Sequence, residues 1–477
     1  MRTAVFVLIP AGLAAAALFG PAPPAAAVVQ GDTPARPYAV GPMPGVPSAG
    51  LSCAAASCHG GGRVGEKGSE HSTWAMDLTR NPPVPHDPHA RAYRVLFNDD
   101  SVRIAKLLGG GPAHLNALCL KCHAVPGAAP GAIAEGVGCA GCHGPDEKWL
   151  TVHYLPEWKA LSNREKAGYG FVPTKNLVAR ASACAGCHVG DATREVDHDL
   201  IAAGHPRLNF EYTRFHFSSV YRKHWADPTP AADFEVRAWT IGQLASLRAA
   251  AELLRARADR AGGIWPEFAG HNCYACHQAV GDRDPKGVAG PGRGLGWPAW
   301  EAWYTAAAGP AAAAARDMAP GVPDGVGAKL DALRAVMNRP NPNRTAAREK
   351  AGDLVAALDR VLAAAQDAED AGRLVVPTGV PVRVADALAR AAAATADWDD
   401  LAQQYLGCAA VYHAAGGQSG RPDWTGPLTQ IGTDLRFPRA GAVRWDNPAD
   451  FGWERLDRVR MNFGRLTGGT GILGGDR

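Results

Sequence analysis

The chain has 477 residues, a length typical of two or three domains, and its 49 basic and 46 acidic side chains leave a formal charge of only +3. This near balance offers no electrostatic basis for binding nucleic acid. Hydrophobic residues make up 47% and charged residues 20% of the chain, which excludes disorder of the whole molecule. Of its 11 cysteines, all but one fall into short pairs, and histidine directly follows each pair.

The chain begins with the features of an export signal. A basic start precedes an apolar run over residues 4–19, and small residues ending at Ala27 follow. This order predicts a secretory signal peptide over residues 1–27 and a periplasmic location. An uncleaved membrane anchor is the alternative, although Pro10 interrupts a run that is already short for a span. No later segment reaches the roughly 20 apolar residues that a span requires.

Composition divides the remaining chain into two main regions. A Pro/Gly-rich linker over residues 28–50 precedes a block over residues 51–280, which holds every cysteine pair and 15 of the 16 histidines. A second Gly/Pro-rich linker covers residues 281–298. The region 299–477 is rich in alanine and contains no paired cysteines, so it is predicted to be a bundle of helices.

Apolar spacing predicts that the fold is mainly α, because alternating runs typical of strands are few. Irregular chain is expected in long loops and after Gly416. Helices are predicted over 233–260, around 298–317 and 325–338, through Leu354–Leu362, and over 382–413.

The cysteine pairs predict covalent haem attachment. Four pairs have the form C-x-x-C-H, in which two thiols add to the vinyl groups of one porphyrin and the next histidine binds its iron as proximal ligand. The first pair has four intervening residues, and a longer loop can still bring both sulfurs to the vinyl groups. Five c-type haems are therefore predicted. The attaching cysteines are Cys53, Cys58, Cys119, Cys122, Cys139, Cys142, Cys184, Cys187, Cys273 and Cys276, and the proximal histidines are His59, His123, His143, His188 and His277.

These cysteines have two alternative uses. Cys119, Cys122, Cys139 and Cys142 have a spacing that could build a four-thiolate zinc site, and an exported chain could form disulfides. Neither explains a histidine after every pair. Cys408 lies outside the pairs and is expected to be a small buried side chain.

The sequence resembles a known family around the third motif. The run GVGCAGCHGP over residues 136–145, with His153 ten residues after the proximal histidine, is similar to the cytochrome c-554-like family, whose tetrahaem members accept electrons from hydroxylamine oxidoreductase. Trp74 and the His89-Ala90 pair occupy matching places. The resemblance covers roughly residues 53–205 and implies that the first four motifs form a stacked haem cluster, with His89 and His153 as distal ligands. The fifth motif and the two extra residues in the first motif depart from the family.

A sixth iron ligand is expected to be histidine at most sites. Eleven histidines remain besides the proximal ones, whereas Met76 is the single methionine in the haem block, so bis-His ligation with rather low potentials is predicted. His198 and His205, seven residues apart, would share one face if that segment were helical and could reach two haems. The favoured distal ligands are His89, His153, His198, His205 and His224; weaker candidates are His71, His114 and His271; surface or packing roles are assigned to His86, His216 and His413.

Three functions are compatible with these features. An electron carrier that relays electrons between redox donor and acceptor proteins is favoured, because histidines outnumber the irons. A catalytic oxidoreductase would need one haem with an open position for a small nitrogen or sulfur compound. A structural or docking subunit would use the haem-free helices. The oligomeric state is left open.

Overall fold

The computed structural model describes residues 53–61, 66–75, 87–125, 132–216, 224, 232–277, 299–416, 423–436 and 453–467. Within these ranges the fold is mainly α, as the sequence predicts, with helices and short 3-10 turns but no β-strand. His271 and Trp300 form an isolated antiparallel bridge. The predicted signal peptide, both predicted linkers, Met76 and His86 lie outside the described residues.

Short helices joined by long loops form the first part of the described chain. Side-chain caps begin several of them; the amide oxygen of Asn116, for example, accepts the backbone N–H of Leu118. These helices are α1 (Glu70–Ala75), α2 (Asp99–Leu107), α3 (Ala117–His123), α4 (Cys139–His143), α5 (Pro156–Ala160), α6 (Asn163–Ala167), α7 (Leu177–His188), α8 (His198–Ala202) and α9 (Tyr212–His216).

Longer helices form the second part. They are α10 (Ala232–Asp259), α11 (Cys273–Cys276), α12 (Ala302–Thr305), α13 (Ala308–Met318), α14 (Val326–Met337), α15 (Arg344–Asp370), α16 (Val380–Ala393), α17 (Trp398–Gly416), α18 (Thr425–Asp434) and α19 (Trp453–Leu466). Among the described helices, none is both long enough and apolar enough to cross a membrane.

Helix α10 is the centre of the main hydrophobic core. Val236, Trp239, Ile241, Leu244 and Leu247 are fully buried although they point in different directions around the helix. A helix that is apolar on all sides is surrounded by protein, and α10 packs against α7, α13, α15 and α17. The helix that precedes the fifth haem motif is therefore part of the same core as the C-terminal helices.

The C-terminal helices also contact the haem block directly. The carboxylate of Glu369, at the end of α15, accepts the N–H of Leu177 at 2.8 Å, and Asp370 accepts the amide N–H of Asn176 at 2.8 Å. Acidic side chains at a helix N-terminus satisfy its unpaired N–H groups and its dipole. The end of α15 therefore holds the start of α7, the helix that carries the fourth haem motif.

Three predicted helices agree with α10, α14 and α15. Two others were predicted to be continuous, but the structure divides each of them into two helices. The predicted helix over 382–413 is divided into α16 and α17, because the carboxylate of Asp397 accepts the N–H of Asp399 at 2.9 Å and begins a new helix. The helix expected around 298–317 is likewise divided into α12 and α13.

The prediction of irregular chain after Gly416 was also wrong for the described residues 423–436 and 453–467, which form α18 and α19. Both helices have an apolar face that the Gly- and Pro-rich composition hides. In α19, Leu456, Val459, Phe463 and Leu466 are buried at spacings of three and four residues, which lines one helix face.

Candidate functional site

Helix ends hold the regular cysteine motifs. Helices α3, α4 and α7 end at the histidines of the second, third and fourth motifs, and α11 carries both cysteines of the fifth. Positions i, i+3 and i+4 lie on one face of a helix, so the two sulfurs and the imidazole point the same way. The first motif instead forms a tight turn, in which the carbonyl of Ala55 accepts the N–H groups of Cys58 and Gly60.

Four of the motif histidines face a second histidine from a distant part of the chain. In every case the two ring centroids are about 6 Å apart, and two pairs are nearly parallel whereas two are nearly perpendicular. The pairs are His59 with His153 (6.2 Å, 17°), His188 with His89 (5.8 Å, 85°), His123 with His205 (6.4 Å, 90°) and His277 with His198 (6.2 Å, 14°).

This separation fits an iron atom between the two rings. A metal–imidazole bond is about 2 Å long and the ring centroid lies about 1 Å beyond the nitrogen, so two axial imidazoles have centroids about 6 Å apart. Four favoured distal candidates, His89, His153, His198 and His205, therefore lie where a sixth ligand would lie. The residues present fit c-type haem, which supplies one-electron redox chemistry when it is bound.

The third motif has a different neighbour. His224 is the one residue between 216 and 232 that the structure describes, and it interacts electrostatically with His143. Burial lowers the pKa of both rings, and it lowers that of His143 to about 4. Thr174 Oγ1 is 3.4 Å from Nδ1 of His143. Burial also lowers the pKa of His188 to about 3. These rings are neutral at pH 7, which is the form that binds a metal.

The Nδ1 atoms of several paired rings donate hydrogen bonds. Carbonyl oxygens accept from His123 (Ala92, 2.7 Å), His153 (Leu150, 2.7 Å) and His205 (Pro206, 2.8 Å), whereas carboxylates accept from His59 (Glu70, 3.0 Å) and His89 (Asp87, 2.9 Å). Metal-binding histidines commonly donate their second ring N–H in this way, which fixes the ring and leaves Nε2 with the lone pair. The sequence analysis did not identify Glu70 or Asp87 as hydrogen-bond acceptors for these histidines. The position of Asp87, two residues before His89, was a signal that could have indicated its role.

The other histidines pack against aromatic side chains. Among the weaker candidates, His71 lies 5.7 Å from the ring of Trp74, His114 stacks on Phe97 at 4.3 Å, and the buried His271 lies 6.1 Å from Phe268. The two described histidines predicted to have surface or packing roles also contact tyrosines: His216 stacks on Tyr212, and His413 lies beside Tyr412.

Motifs that are distant in sequence lie side by side. The thiols of Cys53 and Cys139 share a hydrogen bond, as do those of Cys122 and Cys187. The first motif therefore adjoins the third, and the second adjoins the fourth. In each of these contacts a cysteine of the zinc alternative, Cys139 or Cys122, adjoins a cysteine from outside that set. Cys408 is fully buried, as predicted.

Gly136 brings the third motif against the distal candidate His89. Its φ of +73° is a conformation that favours glycine, and a Cβ there would lie 2.6 Å from the carbonyl oxygen of His89. The same oxygen accepts the N–H of Val137 at 3.0 Å, and the carbonyl of Val137 accepts the indole N–H of Trp74. The GVG run therefore fixes the backbone that carries His89.

A buried group of charges lies beside the fifth motif. The guanidinium of Arg207 donates to the carboxylate of Asp399 at 2.7 Å, and both side chains are almost fully buried. Glu301 interacts electrostatically with both, and burial raises its pKa to about 7. Arg207 follows the distal candidate His205 by two residues, so this group joins the haem block to helix α17.

Glu301 makes stability depend on pH. Its pKa is about 7 in the folded protein against 4.5 in the unfolded chain, so the folded protein binds more protons between these values. The free energy of unfolding should therefore fall by about 3 kcal/mol as the pH rises through this window. We expect Glu301→Gln, which stays neutral, to remove this decline in denaturant titrations at pH 4.5 and 8. If the free energies of unfolding of the wild-type protein and Glu301→Gln differed by the same amount at both pH values, the prediction would be contradicted.

Comparison with known proteins agrees with this geometry. Residues 85–144 match the family model of cytochrome c554 and c-prime. The matched segment contains the second and third motifs and His89, and it supports a multihaem c-type cytochrome that acts in electron transfer. No curated protein and no solved structure matched the chain.

Proposed function

We propose that the chain is an exported pentahaem c-type cytochrome that relays electrons through irons held by two histidines each. The observation that carries this proposal is the set of facing imidazoles, because each joins a motif histidine to a distant one at the separation that an iron requires. An iron with two imidazole ligands has no open position for a substrate, so it is suited to electron transfer.

The proposed ligand pairs follow from these contacts. We number the haem sites by the order of their motifs. The pairs are His59 and His153 at the first site, His123 and His205 at the second, His143 and His224 at the third, His188 and His89 at the fourth, and His277 and His198 at the fifth. The third pair is supported by the electrostatic interaction between two buried histidines, His143 and His224, and the others by the ring geometry.

Contacts between motifs support a relay through four of the five sites. The neighbouring sulfurs of Cys53 and Cys139 bring the first and third sites together, and those of Cys122 and Cys187 bring the second and fourth together. Cys142 of the third motif interacts electrostatically with Cys184 of the fourth. These contacts give the order first, third, fourth, second, and redox proteins would exchange electrons with this series.

The proposal predicts that His153→Ala converts one of the five haems to the high-spin state, because the first site would lose its sixth ligand. Electron paramagnetic resonance (EPR) of the oxidised protein and carbon monoxide binding after reduction measure this change. His114→Ala is the matched control, since His114 stacks on Phe97 and should leave all haems low-spin. A high-spin haem in the wild-type protein would contradict the proposal and favour the catalytic alternative.

The ring angles provide a second measurement. Near-parallel axial imidazoles give rhombic low-spin EPR spectra, whereas perpendicular ones give strongly anisotropic spectra. The first and fifth sites should therefore give rhombic spectra, and the second and fourth sites strongly anisotropic ones.

A further inference from the structure

Two of the paired histidines differ from the others in the charge of their hydrogen-bond acceptor. Nδ1 of His59 lies 3.0 Å from a carboxylate oxygen of Glu70, and Nδ1 of His89 lies 2.9 Å from a carboxylate oxygen of Asp87. We propose that the carboxylate charges of Glu70 and Asp87 act through these two imidazoles, making them stronger donors and giving the first and fourth haem sites lower reduction potentials than the second. This inference rests on the proposed bis-His ligation.

The second site provides the comparison within the same molecule. Both of its histidines donate to neutral carbonyl oxygens, those of Ala92 and Pro206. A carboxylate withdraws the Nδ1 proton more strongly than a carbonyl does, which raises the basicity of the ligating nitrogen. A more basic ligand stabilises ferric iron, and the nearby negative charge has the same effect. The first and fourth sites should therefore be harder to reduce than the second.

Asp87 should act more strongly than Glu70. The Asp87 side chain is only 8% exposed, and one of its oxygens accepts both the Nδ1–H and the backbone N–H of His89, the latter at 2.8 Å. The Glu70 side chain is 34% exposed and also accepts the N–H of Gly68 at 3.1 Å. Water screens an exposed charge more than a buried one. The larger effect on potential is therefore expected at the fourth site.

The test uses Asp87→Asn and Glu70→Gln in the full-length, haem-loaded protein. Each variant keeps an oxygen that can accept the Nδ1–H but removes the charge. Both carboxylates also interact electrostatically with His224 of the third site, so more than one transition can move. Spectroelectrochemical titration should show the largest upward shift at the fourth site in Asp87→Asn, and a smaller upward shift, largest at the first site, in Glu70→Gln. Asp99→Asn removes an exposed carboxylate that lies twelve residues after Asp87 in the sequence, and it should not shift the potential of the first or the fourth site.

The outcomes separate this inference from the proposed function. Unchanged potentials in both variants, with all haems low-spin, would overturn the tuning role and leave bis-His ligation intact. A high-spin haem in Asp87→Asn would also overturn it, because the carboxylate would then be needed to hold His89 in place. A high-spin haem in the wild-type protein would instead overturn the proposed function.

Discussion

Replacing Asp399 with Ala is expected to lower the free energy of unfolding by about 3–5 kcal/mol. Its carboxylate lies 2.7 Å from the guanidinium of Arg207, and the two side chains are 0% and 6% exposed. Removing the carboxylate leaves the buried positive charge of Arg207 beside Glu301, whose pKa of about 7 keeps its carboxyl partly protonated. That incompletely compensated charge is the main cost. Denaturant titration of the haem-loaded protein, followed by circular dichroism, measures the change.

Asp359→Ala is the matched control for Asp399→Ala. Asp359 also accepts from an arginine, Arg248, at 2.9 Å, but its side chain is 51% exposed. Exposed ion pairs contribute about 0–1 kcal/mol, so this variant should unfold at nearly the wild-type denaturant concentration. Equal destabilisation by the two variants would show that burial of the Arg207–Asp399 pair does not increase its contribution to the stability of the protein.

Features that depend on local spacing could be predicted from the sequence. The adjacent cysteines and histidines indicate haem attachment because all three side chains of a motif lie within five residues in the four regular motifs and within seven in the first. Helix α10 was predicted almost to its ends, since its apolar residues follow the helical period and Gly262-Gly263 follows. The buried position of Cys408 was predicted from its place among small apolar neighbours.

Features that depend on tertiary packing could not be predicted. His198 is 79 residues from His277 in sequence, and no local pattern indicates that their rings face each other. The carbonyl that orients His123 belongs to Ala92, and any residue type provides a carbonyl. The division between α16 and α17 depends on local side-chain hydrogen bonds from Thr395 and Asp397, whose effect competes with the strong helical propensity of the neighbouring alanines.

The segment that carries His198 and His205 was predicted in part from the sequence, and its remaining features depend on tertiary packing. The sequence indicated that two ligands seven residues apart could reach two haems, but the condition of a continuous helix is not met. Helix α8 ends at Ala202, and Gly204, with a φ of +114°, turns the chain. The turn allows the two rings to face different partners, His277 and His123.

This geometry predicts that His198→Ala and His205→Ala each convert one haem to the high-spin state, and that the two haems differ. The segment should keep its fold in both variants, because its other anchors remain: the carbonyl of Ala203 accepts from Arg103 at 2.9 Å, and Asp197 caps α8. EPR should show loss of a rhombic signal in His198→Ala and of a strongly anisotropic signal in His205→Ala, because the ring pairs are parallel and perpendicular respectively.

The double variant decides whether the two sites are independent. Two high-spin haems are expected in His198→Ala/His205→Ala, with the remaining low-spin signals unchanged. Loss of the same signal in both single variants would mean that the two histidines serve one iron, and the fifth and second sites would then need different ligands. If the signals are distinct, His198 is a ligand of the fifth site and His205 a ligand of the second. The seven-residue interval between them would then connect the fifth haem directly to the second site.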